Sequence, residues 1–148
     1  MIENNLWFFI ALLSAVFWGI SYCFAERIMD QGVSPAFLLL LQGIVTFPVY
    51  IIFAYFSDTL GTSLAAFDNT KIIILTAVAT IALVLGNLLI LTSIDMKNAT
   101  LANLVEISYP LFTFLIAWTV FKDVQLSWST AFGGLLILAG VGVIWMKH

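Results

Sequence analysis

The chain has 148 residues, of which 63% are hydrophobic and only 9% are charged, and its mean hydropathy is +1.13. This composition is typical of a protein surrounded mostly by lipid, and it leaves no room for a soluble domain. The formal charge of -3 comes from few ionisable groups. Because no Lys or Arg cluster is present, neither nucleic acid nor anionic lipid headgroups are supported as partners.

Five apolar segments follow one another along the chain, and each has about the 20 residues needed to cross a hydrocarbon core. None shows the in/out alternation of a β-barrel strand. Because lipid cannot hydrogen-bond backbone amides, we predict that each segment is a helix. The sequence therefore predicts an all-α membrane protein with five transmembrane helices in a single domain, residues 1–148. The predicted helices are Leu6–Ala25, Ala36–Phe56, Ile72–Ile94, Ala99–Phe121 and Trp128–Met146.

The connections are short, and only the second, Ser57–Lys71, has room for a short interfacial helix. The others are Glu26–Pro35, Asp95–Asn98 and Lys122–Ser127. No phosphate-binding loop, dinucleotide fingerprint or His/Cys metal set is legible, since the sole histidine is His148. We therefore expect no cofactor, no metal and no enzymatic activity, and we expect function to lie within the bilayer.

The basic residues of the loops are nearly balanced across the membrane. Five spans place the N-terminus, Lys71 and Lys122 on one side. Arg27, Lys97 and Lys147 lie on the other side. Orientation follows an excess of Lys and Arg in cytoplasmic loops, so a difference of one residue favours insertion in both orientations. The alternative is a single orientation set by segment hydrophobicity.

The first predicted helix has a polar and aromatic stripe. Ser14, Trp18, Ser21 and Tyr22 follow helical spacing and offer ring faces and hydroxyls beside apolar surface. Such a wall suits amphipathic or cationic solutes. Alternatively, the two rings only pack or lie in an interfacial belt.

Helices two to four contain further residues that lipid disfavours. Pro48 and Pro110 remove amide donors and can kink their helices, either as gates or only as packed bends. Asn87, preceded by Gly86, either lines a cavity or bonds another helix.

Glu106 is the only carboxylate well inside an apolar segment, roughly 10 Å from the start of the fourth helix. It shares a stripe with Asn103, Pro110 and Thr113, at spacings of 3, 4 and 3. An acid at this depth is a candidate for charge recognition or for coupling to protons. The alternatives are snorkelling to the interface and a structural bond to Arg27.

The fifth helix is rich in small residues, and Thr130, Gly133 and Gly140 share one side with Gly134 beside them. Small residues let helix backbones approach closely in lipid. We expect this helix to be a packing element, either within the chain or between subunits.

Several of these features occur in an order that resembles an EamA-type domain of the drug/metabolite transporter superfamily. They are Trp18-Gly19, Ser34-Pro35, Ala99–Pro110, Phe121–Asp123 and Gly133–Val141. Two positions depart from the family pattern. Gln42 stands where a basic residue is common, and Asp123 stands where Glu is usual.

The resemblance implies a transporter of small metabolites or amphipathic solutes, working as an exporter by alternating access in the inner membrane of a bacterium or archaeon. Family members usually join two five-helix repeats in inverted orientation. This chain has one repeat, so we expect an antiparallel homodimer or pairing with a different half-sized chain.

The solute cavity is expected between helices one, three and four. Glu106 would recognise charge or couple transport, and Trp18 and Tyr22 would shape the cavity. Ser21 would add a hydroxyl to it, and Asn103 and Asn87 would supply hydrogen bonds. Proton coupling and facilitated diffusion both stay open. A non-transporting subunit that modulates a larger partner is the alternative from another class.

Overall fold

The computed structural model describes residues 6–57, 59–122 and 127–147. These residues form helices joined by short connections and contain no strand, which confirms the predicted all-α class. A π-helical turn, Ala117–Phe121, follows α6. The helices are α1 Leu6–Met29, α2 Pro35–Phe56, α3 Leu60–Ala66, α4 Thr70–Met96, α5 Ala99–Glu106, α6 Tyr109–Ile116 and α7 Trp128–Lys147. Asp123 and His148 lie outside the described residues.

Within the described residues, four helical stretches are long and apolar enough to cross a membrane: Leu6–Met29, Pro35–Phe56, Thr70–Met96 and Ala99–Phe121. They correspond to the first four predicted spans. The fifth predicted span is helical, but the apolar stretch found within α7, Ala131–Met146, is shorter. The chain is therefore a multi-pass membrane protein.

The first connection is shorter than predicted, because α1 continues one turn past Ala25 to Met29. The chain then turns at Gly32, whose φ of 90° lies in a region that favours glycine. Ser34 caps α2 by accepting a hydrogen bond from the Phe37 amide at 3.4 Å. The second connection contains α3, the short helix for which the sequence left room.

The buried side chains lie at one end of the bundle. There the C-terminal parts of α1 and α4 meet the N-terminal parts of α2 and α5. Ala25 and Ile94 are the most deeply buried, at 2% and 1% exposure. At the other end, side chains such as Phe9 and Phe56 are exposed. The buried set is Tyr22, Ala25, Met29, Leu38, Ile90, Leu91, Ile94, Ala99 and Ala102.

The fourth span is not the continuous helix that the sequence predicts. It is divided between Glu106 and Tyr109 into α5 and α6. Pro110 has no amide hydrogen, so it cannot donate to the carbonyl of Glu106 four residues earlier. A tight turn forms instead, in which the Ser108 amide donates to the Val105 carbonyl at 3.2 Å. Pro48, by contrast, lies inside the continuous helix α2.

The small residues of α7 have different surroundings. A Cβ on Gly134 would lie 2.8 Å from Cδ2 of Leu111, so this glycine allows α7 to approach α6 closely. A Cβ on Gly133 or Gly140 would meet no described atom within 4 Å. The side chain of Thr130 lies outside the described part of the chain. Gly134 thus packs within the chain, whereas Gly133 and Gly140 leave open surface.

Candidate functional site

A cavity of about 820 Å³ lies between the first, third and fourth spans. This volume is within the range of small-molecule sites, roughly 300 to 1,000 Å³. The lining from α1 is Ala15, Trp18, Gly19, Tyr22, Cys23 and Glu26, and from α4 it is Leu83, Gly86, Asn87 and Ile90. The fourth span contributes Ala99, Thr100, Asn103, Leu104, Glu106, Ile107 and Tyr109.

Glu106 lies at the end of α5, directly before the break in the fourth span. Its Oε1 accepts a hydrogen bond from the Tyr22 hydroxyl at 3.1 Å. The phenol is buried, with 6% exposure, whereas the carboxyl is half-buried. This bond satisfies one carboxyl oxygen and joins α1 to α5. The alternative bond to Arg27 is not formed, since Arg27 pairs with Asp30 at 3.4 Å.

Glu26 is a cavity residue that the sequence analysis placed in a loop. Its Oε2 accepts a hydrogen bond from the Ala99 amide at 3.1 Å. The first amides of a helix lack intrahelical partners, so a carboxylate there is favourable. Asn98 completes the cap by accepting from the Leu101 amide at 2.8 Å. Glu26 follows Tyr22 by four residues, so helical spacing could have placed it on the same face.

The aromatic wall of the cavity is formed by Trp18 and Tyr22, whose ring centroids are 5.4 Å apart at an interplanar angle of 36°. Tyr109 adds a third ring from the fourth span. Ser21 does not line this cavity. It lines a separate concavity of about 380 Å³, which is formed by residues of α1 alone and shares only Trp18 with the main cavity.

The two predicted amides both line the cavity. Asn103 lies one turn before Glu106 on α5. Asn87 donates from Nδ2 to the Leu83 carbonyl at 2.9 Å, a bond within its own helix rather than to another helix. Thr113 similarly donates to the Tyr109 carbonyl at 3.2 Å. Five of the six predicted site residues therefore lie around one cavity, and their role in binding stays a prediction.

The side chains of the cavity have the character of a small-molecule binding site. Among the described residues, no group of three or more His, Cys, Asp or Glu side chains could hold a metal ion. The polar groups are two carboxylates, two amides, two phenols, the Thr100 hydroxyl and the Cys23 thiol on an otherwise apolar wall. Polar groups that converge on a mainly apolar wall are characteristic of a small-molecule site.

Comparison with protein families identifies the chain. Neither a curated protein nor a solved structure matched it. The profile of the EamA-like transporter family matches residues 5–146, nearly the whole sequence. This match does not favour the alternative of a non-transporting subunit. The chain therefore belongs to the EamA-like transporter family, within the drug/metabolite transporter superfamily.

Proposed function

We propose that the chain exports small metabolites or amphipathic solutes by alternating access, with the cavity between α1, α4 and α5 as the solute site. The main support is the bond between Tyr22 and Glu106, which crosses the cavity wall beside the break in the fourth span. Discontinuous helices frequently form the solute sites of transporters. Backbone irregularity at membrane depth is tolerated where it lines a cavity.

Glu106 is the group that recognises solute charge or couples transport to protons, because it is the carboxylate at the break. Trp18 and Tyr22 shape the wall, and Asn103 and Asn87 supply hydrogen bonds. Ser21 lines the smaller concavity, together with Trp18. A solute that displaces the Tyr22 hydroxyl from Glu106 would loosen α1 from α5. That displacement is the proposed link between binding and the change of access.

The working unit that we propose is an inverted homodimer of two five-helix chains in the inner membrane of a bacterium or archaeon. The packing of one chain supports this, since its buried side chains lie at one end and the other end exposes apolar surface. A second copy in the opposite orientation would place its well-packed end beside the end of the first copy that exposes apolar surface. Pairing with a different half-sized chain is the competing outcome.

Proteoliposomes test this proposal. Purified protein is reconstituted into vesicles loaded with a mixed pool of amino acids, amines, nucleosides and organic acids. Release of each compound is followed by mass spectrometry. We expect wild-type vesicles to release at least one compound class faster than protein-free vesicles, and Glu106→Gln to abolish that release. Imposing a proton gradient separates coupled export from facilitated diffusion. Equal release from protein-containing and protein-free vesicles would contradict the proposal.

A further inference from the structure

We infer that the cavity selects organic cations, meaning solutes with an ammonium or quaternary ammonium group on an apolar body. The inference rests on the proposed function in one respect, namely that this cavity is the solute site. It adds the charge of the solute and a second recognition group, Glu26.

The charged residues that line the cavity are both acidic. Glu26 and Glu106 both line it, and no Lys, Arg or His does so among the described residues. The neighbouring cation, Arg27, is 78% exposed and pairs with Asp30. An anionic solute would therefore meet two half-buried carboxylates without a counter-ion, which is unfavourable. A cation would instead compensate those carboxylates.

Each carboxylate has an oxygen available to a solute. Glu106 uses Oε1 to accept from Tyr22. Glu26 uses Oε2 to accept from the Ala99 amide. The remaining oxygen of each accepts no hydrogen bond from the described part of the chain, and neither side chain is in an ion pair there. These free oxygens are acceptors for an ammonium group.

The rest of the lining suits the body of such a solute. Trp18, Tyr22 and Tyr109 present aromatic rings, and cations bind favourably over such rings. Leu83, Ile90 and Leu104 provide apolar surface for a hydrocarbon body.

A zwitterionic amino acid fits less well, because its carboxylate also needs a partner. The N-terminus of α5 is the anion-favouring end of a helix beside the cavity. Three of its first four amides are already used, since Ala99 donates to Glu26, Leu101 donates to the Asn98 side chain and Ala102 donates to the Asn98 carbonyl. The protein's own carboxylate thus occupies the place that a substrate carboxylate would need.

Cys23 provides a direct test. It is the only cysteine, it is exposed, and it lines the cavity. Full-length protein in a neutral detergent is treated with a cationic reagent, 2-(trimethylammonium)ethyl methanethiosulfonate, or an anionic one, 2-sulfonatoethyl methanethiosulfonate. Each forms a disulfide with the thiol and releases methanesulfinate. The ratio of the two rates, divided by the same ratio for free 2-mercaptoethanol, measures the charge preference of the cavity.

We expect the normalised ratio to favour the cationic reagent by about tenfold or more. Glu106→Gln and Glu26→Gln should each lower it by about threefold, and the double variant should remove the preference. Glutamine retains the acceptors for Tyr22 and Ala99, so both helix contacts survive. Asp95→Asn is the matched control, since Asp95 loses the same charge outside the cavity lining. Benzyltrimethylammonium should slow the reaction, whereas phenylacetate and phenylalanine should not.

A normalised ratio near one, equal protection by phenylacetate or phenylalanine, or no reaction with either reagent would overturn the cation assignment. Vesicles that release an anionic or neutral solute despite such a result would leave the transporter proposal intact. A strong cationic preference without release of any solute would instead retain the cation site and contradict transport.

Discussion

Tyr22 and Glu26 lie one helical turn apart on α1, and each hydrogen-bonds α5, Tyr22 to the Glu106 carboxyl and Glu26 to the Ala99 amide. The donor belongs to α1 in the first bond and to α5 in the second. Both bonds lie on the wall of the same cavity. The hydrogen bonds between the first and fourth spans are therefore made by groups that also line the cavity.

The bond between Tyr22 and Glu106 can be removed without removing the ring. Tyr22→Phe keeps the aromatic wall but leaves Glu106 without its donor. We expect about a threefold to tenfold loss in the initial rate of solute release, since such a hydrogen bond contributes about 0.5 to 1.5 kcal/mol. The measurement is release from proteoliposomes that contain equal amounts of protein.

Tyr50→Phe is the control for that experiment, because Tyr50 is an exposed tyrosine of α2 that does not line the cavity. It should leave the rate of release unchanged. Equal effects of the two variants would show that the hydroxyl of Tyr22 has no specific role.

Two substitutions of Glu26 separate the effect of its helix-capping hydrogen bond from the effect of its charge. Glu26→Ala removes the acceptor of the Ala99 amide and should lower the free energy of unfolding by about 1 kcal/mol. Glu26→Gln retains an acceptor and should have a smaller effect. Thermal unfolding of the detergent-solubilised protein measures both. Asp95→Ala is the control, and a Tm for Glu26→Ala no lower than that of the control would contradict the cap.

The helices were predictable because lipid leaves the backbone few alternatives, so apolar length alone places the first three spans. Glu106 could be identified because a carboxylate at that depth is costly. For Glu26 the only signal was its spacing of four residues from Tyr22, because its position at the end of an apolar segment is typical of a solvated loop residue. Its role depends on the approach of Ala99, a residue 73 positions later. The break after Glu106 could not be predicted with certainty from Pro110 alone. Pro48 also lacks an amide hydrogen, yet α2 is continuous around it.

The break in the fourth span is expected to matter for transport more than for stability. Pro110→Ala supplies an amide that can donate to the Glu106 carbonyl, so α5 and α6 should join into one helix. We expect an unchanged or higher Tm together with about a tenfold or greater loss of release, because the joined helix would reposition Glu106.

Pro48→Ala is the matched proline control, since Pro48 lies in α2 outside the cavity lining. It should leave the rate of release near the wild-type value. Full transport by Pro110→Ala would show that the break is only a packing feature.

Two glycines of α7 should respond differently to a large side chain. Gly134→Leu places atoms where Leu111 already lies, so overpacking should lower the free energy of unfolding by about 1 to 3 kcal/mol. Leu111→Ala in the same chain should restore part of that loss, as a double-mutant cycle would measure. Gly140→Leu faces open space and should leave the Tm unchanged. A Gly140→Leu chain as unstable as Gly134→Leu would contradict the assigned packing.

The inverted homodimer makes a prediction about orientation. In a Cys23→Ala chain with one new cysteine appended after His148, an impermeant thiol reagent added to intact cells should label only part of the population. Permeabilising the cells should then label the remainder. The physical reason is the near balance of basic residues, in which Arg27, Lys97 and Lys147 oppose Lys71 and Lys122.

Adding two lysines after Lys147 should bias the mixture toward one orientation. The rate of solute release should fall with it, because an antiparallel pair needs both orientations. If the chain without the added lysines were labelled uniformly, the pair would instead require a partner of opposite orientation. Co-purification from native membranes would then reveal a second half-sized chain.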